Sequence, residues 1–255
     1  MSKVLPILFN TDMVRAILDG RKSVTRRICK DANEYTIPDM SFYDAKKRTY
    51  AVHNYSDKEH TEKLSIIERT CPICPGDVLY VRETWERFDC CSCEGDEHGN
   101  CPKEPNKSVL DKSCGCYMYR ATDEISGDAK WRPSIHMPKE AARIWLKVKD
   151  VRVERLQEMT EEQAEAEGIR GYSKDGNLYK YAVTDDWWID YHNKHRKSFV
   201  GTWWQDMPRT AKDAFSYLWN STIKKSDFDR YGWDANPWVW VIEFERCEKL
   251  EGWRV

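Results

Sequence analysis

The chain has no long hydrophobic run. No stretch approaches the roughly 20 apolar residues that a membrane-spanning helix needs. Residues 1–10 contain one lysine and an apolar run that is too short for the core of a signal peptide. We therefore expect neither a membrane segment nor a secretion signal, and we expect the protein to lie in the cytoplasm.

The chain also lacks an excess of charge of either sign. Its 41 lysines and arginines nearly balance its 43 aspartates and glutamates, and the formal net charge is −2. A bulk positive field that would attract nucleic acid is excluded, so any such contact requires a local basic patch. Hydrophobic residues make up 40% of the chain, with 12 Trp and 13 Tyr, which excludes general disorder and predicts a folded core.

Long uninterrupted stretches of regular secondary structure are missing as well. The 255 residues are enough for one decorated domain or two small ones. Predicted strands alternate with three irregular segments, at about residues 30–70, 88–116 and 171–207, and few helices are expected. This pattern predicts one α+β domain over residues 1–255, with a small β-barrel or a highly curved sheet as its core and the three segments as insertions.

The densest group of reactive side chains lies near the N-terminus, at Lys22, Thr25, Arg26 and Arg27. A solvated basic turn would account for such a run of charge. In a regular strand Lys22 and Thr25 would point to opposite faces, whereas a tight loop would bring them together. A lysine that is partly removed from water can lose its proton and act as a base toward a threonine hydroxyl, so the group is also a candidate catalytic site.

This segment resembles the opening motif of the ASCH family, Gly-x-Lys-x-x-Thr-x-Arg, which begins here at Gly20. Later segments are also similar to that family: residues 75–81 to a turn and a barrel strand, residues 159–169 to a short acidic helix, and residues 241–244 to the C-terminal strand. These segments cover the predicted core but not the insertions. The resemblance implies a PUA-like β-barrel of the kind associated with RNA.

The longer ASCH proteins of bacteriophage genomes are similar to this chain over residues 81–85, 131–138 and 233–240. That resemblance implies a phage-encoded protein whose partner is RNA or a modified nucleoside. Bases stack on aromatic faces and phosphates pair with arginine, so a groove lined by such residues would hold a single-stranded nucleic acid or a flipped base. The predicted ligand-binding residues are Arg26, Arg27, Arg82, Glu83, Trp85, Trp131, Arg132 and His136. Packing in the core is the alternative for the tryptophans.

Small bacterial members of the ASCH family are N4-acetylcytidine amidohydrolases with a catalytic lysine, threonine and glutamate. The resemblance assigns these roles to Lys22, Thr25 and Glu167. Thr25 would attack the acyl carbon, Lys22 would take the hydroxyl proton, and Glu167 would orient the groups or shuttle protons to the leaving amine. Without the resemblance, Glu167 would equally well be an exposed carboxylate of a short helix.

Cysteines cluster in the second of the three insertions. A structural zinc ion requires four thiolate or imidazole ligands. The predicted zinc ligands are drawn from Cys90, Cys93, Cys101, Cys114 and Cys116. A metal would explain how a segment with almost no apolar residues holds its shape. The spacing is not one of the standard paired C-x-x-C patterns, so free thiols are the alternative, and no organic cofactor is expected.

Three functions are compatible with these patterns. The preferred interpretation is a protein that binds RNA or a modified nucleoside. The alternative is an amidohydrolase that removes an acyl group from a modified nucleobase such as N4-acetylcytidine, which further requires Lys22, Thr25 and Glu167 to converge within hydrogen-bonding distance. A weaker alternative is a phage accessory protein that binds a host protein through an aromatic patch in residues 171–207. No pattern predicts an oligomeric state.

Overall fold

The computed structural model describes residues 2–89, 115–125, 130–173, 176–184 and 203–249. Its strands are β1 (Val4–Leu8), β2 (Val24–Ile28), β3 (Thr36–Asp44), β4 (Thr49–Tyr55), β5 (Lys63–Thr70), β6 (Val78–Arg82), β7 (Trp85–Asp89), β8 (Gly115–Tyr119), β9 (Trp145–Arg155), β10 (Arg170–Ser173), β11 (Tyr179–Ala182) and β12 (Trp238–Cys247). Its α-helices are α1 (Thr11–Leu18), α2 (Glu161–Ala166), α3 (Trp203–Asp206), α4 (Ala211–Thr222) and α5 (Phe228–Tyr231). Strands outnumber short helices, so the described fold is α+β.

A five-stranded sheet in the order β1, β6, β9, β12, β2 forms the centre of the molecule. The pair β1 and β6 is parallel, and the other three pairs are antiparallel. Strand β12 alternates bulky and β-branched residues, and Val239, Trp240, Val241 and Ile242 are all buried. Both faces of the strand are therefore covered, as its nearly continuous apolar sequence predicts.

The two edge strands of this sheet, β1 and β2, approach each other. Arg27 of β2 donates from Nη2 to the carbonyl oxygen of Leu8, the last residue of β1, over 2.7 Å. The same guanidinium lies over the ring of Phe9, 5.3 Å from its centroid. Among the described strands no backbone ladder joins β1 to β2, so the sheet is curled but open and does not close into a barrel.

Residues 30–70 differ from the irregular segment that the sequence predicts. They contain a three-stranded antiparallel sheet in the order β3, β4, β5. Almost every residue of β5 is exposed, so that strand carries no alternation of buried and polar positions from which it could be recognised. Arg48, in the turn between β3 and β4, forms a bidentate ion pair with Asp77 and so connects this sheet to the core.

The helices begin where side chains can cap them. Asn10 accepts a hydrogen bond from the backbone N–H of Met13 and starts α1, and Thr160 accepts one from Gln163 and starts α2. The buried side chains of α1 and α4 join the apolar residues of the central sheet in one core. Within the described ranges, no helix combines the length and the apolar character needed to cross a membrane.

Candidate functional site

Helix α1 and the turn after it bring Lys22 into the interior. Gly20 adopts a φ of +74°, and the backbone N–H groups of Arg21 and Lys22 both donate to the carbonyl oxygen of Ala16, over 2.9 and 3.0 Å. The left-handed conformation at Gly20 ends the helix, as glycine permits without steric cost. The chain therefore turns sharply and enters β2 with the lysine side chain already inside the protein.

Helix α2 brings Glu167 to the same place. Gly168 follows with a φ of +101°, and a Cβ atom at that position would lie only 2.9 Å from the Cβ atom of Ala16 and 3.4 Å from that of Lys22. The backbone N–H of Ser23 donates to the carbonyl oxygen of Ala166 over 2.9 Å. The end of α2 is thus pressed against the turn after α1, and only glycine fits between them.

Lys22 and Glu167 form a buried ion pair. Lys22 Nζ lies 2.6 Å from Glu167 Oε2, and the two side chains are 1% and 4% exposed. The ammonium also donates to the carbonyl oxygens of Val24, over 2.8 Å, and of Glu167, over 2.9 Å. These three acceptors match the three N–H donors of a lysine ammonium. Glu167 is therefore a buried residue and not an exposed helix carboxylate.

Arg26 extends this pair into a charged cluster. Its Nη1 lies 3.3 Å from Glu167 Oε1, its Nη2 donates to Gln163 Oε1 over 2.9 Å, and a weaker ion pair of 3.7 Å joins it to Glu154. The side chain of Arg26 is fully buried. Sequence reasoning missed Gln163 and Glu154 as members of the cluster. Gln163 lies three residues after Thr160, a spacing typical of a capping box, whereas no sequence pattern indicates its second partner.

Burial is the largest influence on the proton affinity of Lys22. Removal of the ammonium from water lowers the pKa of Lys22 below its ordinary value of 10.5, and the nearby charges of Arg27 and Arg26 lower it further. The Glu167 carboxylate raises the pKa but does not cancel the effect of burial. The lysine is thus held in surroundings that favour loss of its proton more than water does.

A cavity of about 190 Å³ opens beside the cluster, and we call it the Lys22 cavity. Lys22, Thr25, Arg26, Arg27 and Glu167 line one side of it, because β2 is an edge strand and side chains from both of its faces reach the space. The opposite side is aromatic and apolar and consists mainly of Phe9, Met13, Phe215, Leu218 and Trp219.

Thr25 presents to this cavity a hydroxyl group that no described residue hydrogen-bonds. The residue is 3% exposed, and among the residues that the structure describes no hydrogen bond to its hydroxyl group is found. Lys22 donates to other acceptors, as described above. The cavity therefore contains a hydroxyl group free to contact a ligand, next to a buried amine and a buried carboxylate.

The other predicted ligand-binding residues lie elsewhere. Trp85 is 5% exposed and packs against Tyr117 in a second apolar cluster, and Glu83 is 1% exposed and accepts two hydrogen bonds of 2.9 Å from Arg143. Arg132 stacks over Trp85 at 5.3 Å. The remaining three are partly or fully exposed and are Arg82, Trp131 and His136. None of the six is among the described residues that line the Lys22 cavity.

The predicted zinc ligands Cys90, Cys93, Cys101 and Cys114 lie outside the described residues. Cys116 lies in β8 and is half-buried. In the part of the chain that the structure describes, no group of three or more His, Cys, Asp or Glu residues is arranged to hold a metal ion. Comparison with known proteins found no matching family model, no matching curated protein and no matching solved structure.

Proposed function

We propose that the Lys22 cavity binds a modified nucleoside, free or within an RNA chain. The proposal depends on one observation. A cavity of about 190 Å³ has a buried, hydrogen-bonded cluster of charged residues on one side and an aromatic, apolar wall on the other. Pockets for drug-sized ligands are typically about 300–1,000 Å³, so this one fits a single base and its substituent better than a larger molecule. Aromatic rings stack on bases, and the carboxylate and cations supply acceptors and donors for a base edge.

The curled sheet supports the further proposal that the core is an open variant of the PUA-like fold of the ASCH type. Its edge strands approach at Leu8 and Arg27, and the Lys22 cavity lies next to that gap. The motif residues Lys22, Thr25 and Arg27 all line the cavity. A ligand that enters there would meet side chains from both edges of the sheet.

Hydrolysis of an N-acylated base is the second candidate function. The observation that favours it is the Thr25 hydroxyl group, which has no hydrogen bond to any residue that the structure describes. An ammonium has no lone pair, so Lys22 must first lose a proton. Glu167 Oε2, 2.6 Å from Lys22 Nζ, accepts this proton, and the transfer leaves a neutral amine beside a neutral carboxyl group. The amine then takes the Thr25 proton while the oxygen attacks the acyl carbon.

The rest of the reaction balances with these three groups. Collapse of the tetrahedral intermediate breaks the bond between the acyl carbon and the base nitrogen, and the leaving amine takes a proton from the Lys22–Glu167 pair. Water then attacks the acyl ester on Thr25, which releases the carboxylic acid and restores the hydroxyl group. Arg27, which also lines the cavity, would stabilise the negative oxygen.

Incubation with N4-acetylcytidine tests both candidates. Binding is measured by equilibrium dialysis, and release of cytidine and acetate by chromatography, for the wild type, for Lys22→Ala and for Lys149→Ala. Lys149 is a suitable control because it forms an exposed ion pair with Glu245. Binding that Lys22→Ala abolishes supports the nucleoside site, and turnover that it abolishes supports the hydrolase. Absence of both binding and turnover in the wild type contradicts both candidates.

A further inference from the structure

A second cavity, of about 330 Å³, lies next to the first along strand β2, and we call it the Trp240 cavity. Its walls are mainly apolar and include Ile28, Ile73, Val151, Trp240 and Ile242. Arg27 lines both cavities. Arg27 is therefore shared by a polar space that Thr25 lines and an apolar space that Trp240 lines.

The strand register places Thr25 and Arg27 of the Lys22 cavity on the same face of the sheet as Trp240, Ile242 and Val151 of the Trp240 cavity. Thr25 is paired with Ile242 and Arg27 with Trp240, and paired residues of antiparallel strands project to the same face. Val151 of β9 is paired with Ile242 in turn. Thr25 and Arg27 are two residues apart, a rise of roughly 7 Å along a strand. A ligand could thus extend from one cavity to the other without crossing the sheet.

Positive charge is available where the two cavities meet. Arg27 is exposed, and its guanidinium makes one hydrogen bond among the described residues, to the carbonyl oxygen of Leu8. A guanidinium has five N–H donors, so several remain for a ligand. Lys30 is exposed at the rim of the Trp240 cavity. Asp31 lies at the same rim, but its carboxylate already accepts a hydrogen bond from Tyr50 and pairs with Arg69.

The indole ring of the second cavity is held in position. Tyr50 contacts it edge-on, with ring centroids 4.9 Å apart and planes 82° apart. A ring fixed in this way keeps its orientation when a ligand binds. The free energy of binding is therefore not reduced by the entropy loss of ordering the ring. Flat, apolar groups such as nucleobases stack on aromatic surfaces of this kind with little regard to sequence.

We propose that the full ligand is a dinucleotide step of an RNA chain. The modified base occupies the Lys22 cavity, the phosphate contacts Arg27 and Lys30, and the neighbouring base occupies the Trp240 cavity. This inference rests on the proposed function, and it specifies the substrate class as an oligonucleotide in place of a free nucleoside. Arginine suits the central position because its planar fork pairs with phosphate oxygens.

Affinity for ligands of increasing length tests the inference. N4-acetylcytidine, its 3′-monophosphate, and the dinucleotide in which uridine follows it are compared by stopped-flow tryptophan fluorescence, which reports binding before any turnover. We expect the affinity to increase at each step. The dinucleotide should bind about tenfold or more tightly than the monophosphate, which is the gain expected from one additional stacked base.

Variants then show which cavity accounts for the additional affinity of the dinucleotide. Ile73→Phe fills the Trp240 cavity and should reduce dinucleotide affinity to that of the monophosphate without changing nucleoside affinity. Lys30→Gln, at an exposed position, should reduce the phosphate contribution and serves if the first variant does not fold. Arg230→Gln, in a separate cavity of about 760 Å³, is the matched control and should change nothing.

Three outcomes would overturn the inference. The first is equal affinity for the monophosphate and the dinucleotide. The second is a dinucleotide gain over the monophosphate that persists in Ile73→Phe, or a monophosphate gain over the nucleoside that persists in Lys30→Gln. The third is loss of the gain in Arg230→Gln, which would transfer the second base to the larger cavity. In each case, unchanged binding of N4-acetylcytidine would leave the proposed function intact. If N4-acetylcytidine itself does not bind, both the proposed function and the dinucleotide inference are contradicted.

Discussion

Two of the buried ion pairs among the described residues are similar in burial but differ in their surroundings. In one, Lys22 meets Glu167, with side chains 1% and 4% exposed, and in the other Arg48 meets Asp77, with side chains 11% and 0% exposed. Asp77 accepts two hydrogen bonds from Arg48, at 2.8 and 2.6 Å, and one each from the backbone N–H groups of Lys3 and Cys74. All of its partners are structural.

The comparison teaches that burial of charge does not by itself identify a functional site. The Arg48 pair fastens the sheet of β3, β4 and β5 to the turn before β6, and all four contacts of its carboxylate are accounted for. The Lys22 pair adjoins a cavity and a hydroxyl group that has no hydrogen bond among the described residues. We therefore expect the first pair to contribute to stability alone and the second to contribute to both stability and ligand chemistry.

Loss of the cation from each pair should have the largest effects and should separate the two. Lys22→Met and Arg48→Met both leave a buried carboxylate without its main partner, so each should reduce the free energy of unfolding by about 3–5 kcal/mol in urea denaturation. Under the hydrolase proposal, Lys22→Met should also lower turnover by roughly 10²–10⁴-fold. Arg48→Met should retain turnover per folded molecule, and an equal loss in both variants would contradict the distinction.

Changes at Thr25 should affect chemistry without affecting stability. Thr25→Val removes a hydroxyl group that no described residue bonds, so the free energy of unfolding should change by no more than about 1 kcal/mol. Acyl release should fall by about 10²-fold or more, because no nucleophile is left, and Thr25→Ser should restore part of it. Urea denaturation and product chromatography measure the two effects, and full turnover by the valine variant would exclude Thr25 as the nucleophile.

Gly168→Ala should disturb the Lys22 pair through the backbone. A φ of +101° is unfavourable for alanine, and its methyl group would lie 2.9 Å from the Cβ atom of Ala16. We expect a loss of about 1–3 kcal/mol in the free energy of unfolding, measured by thermal or urea denaturation. Gly76→Ala is a matched control, because Gly76 has a similar φ of +86° but no atom within 4 Å of the added carbon. A smaller loss there would isolate the contribution of the close contact.

The pH dependence of the free energy of unfolding should also distinguish the Lys22–Glu167 pair from the Arg48–Asp77 pair, with a smaller effect than the substitutions above. A folded pKa below 10.5 for Lys22 means that the unfolded chain binds the proton more tightly, so stability should rise with pH between the lowered pKa and 10.5. Burial opposes ionisation of Asp77, but hydrogen bonds from Arg48 and the backbone outweigh it and hold its pKa below 3.8. Stability from Asp77 is present above pH 3.8 and is lost as the pH falls through its folded pKa.

Urea midpoints across both pH ranges check this distinction. Lys22→Met should flatten the alkaline limb of the stability curve relative to the wild type, and Arg48→Met should flatten the acid limb. The opposite assignment, or an unchanged alkaline limb in Lys22→Met, would mean that burial does not lower the pKa of that lysine.

Local sequence signals mark the ends of the elements that hold the site. Asn10 and the Thr160–Gln163 capping box begin the two helices, Gly20 and Gly168 end them, and the alternating residues of β12 form a strand buried on both faces. Each signal depends on residues within a few positions of one another. Such short-range patterns form the same local structure whatever the element packs against, so they can be recognised from the sequence alone.

Contacts between distant parts of the chain could not be predicted in the same way. Gln163 and Arg26 are 137 residues apart, and Arg48 and Asp77 are 29 apart, so neither contact has a local pattern. The aromatic wall from α4 could not be predicted either, because helical spacing places Phe215, Leu218 and Trp219 on one face but does not indicate which cavity that face lines. The sheet of β3, β4 and β5 was missed because β5 is exposed and lacks alternation. The PUA-like character of the core and the ASCH assignment stay predictions.

The most direct test of the central claim is the set of backbone amide shifts that change when the ¹⁵N-labelled protein is titrated with N4-acetylcytidine. The proposal predicts saturable changes at Thr25, Arg26 and Gly168, around the Lys22 cavity, and none at Arg48 and Asp77. Changes confined to the Arg48 pair, or no change at millimolar ligand, would contradict the assignment of the Lys22 cavity as the nucleoside site.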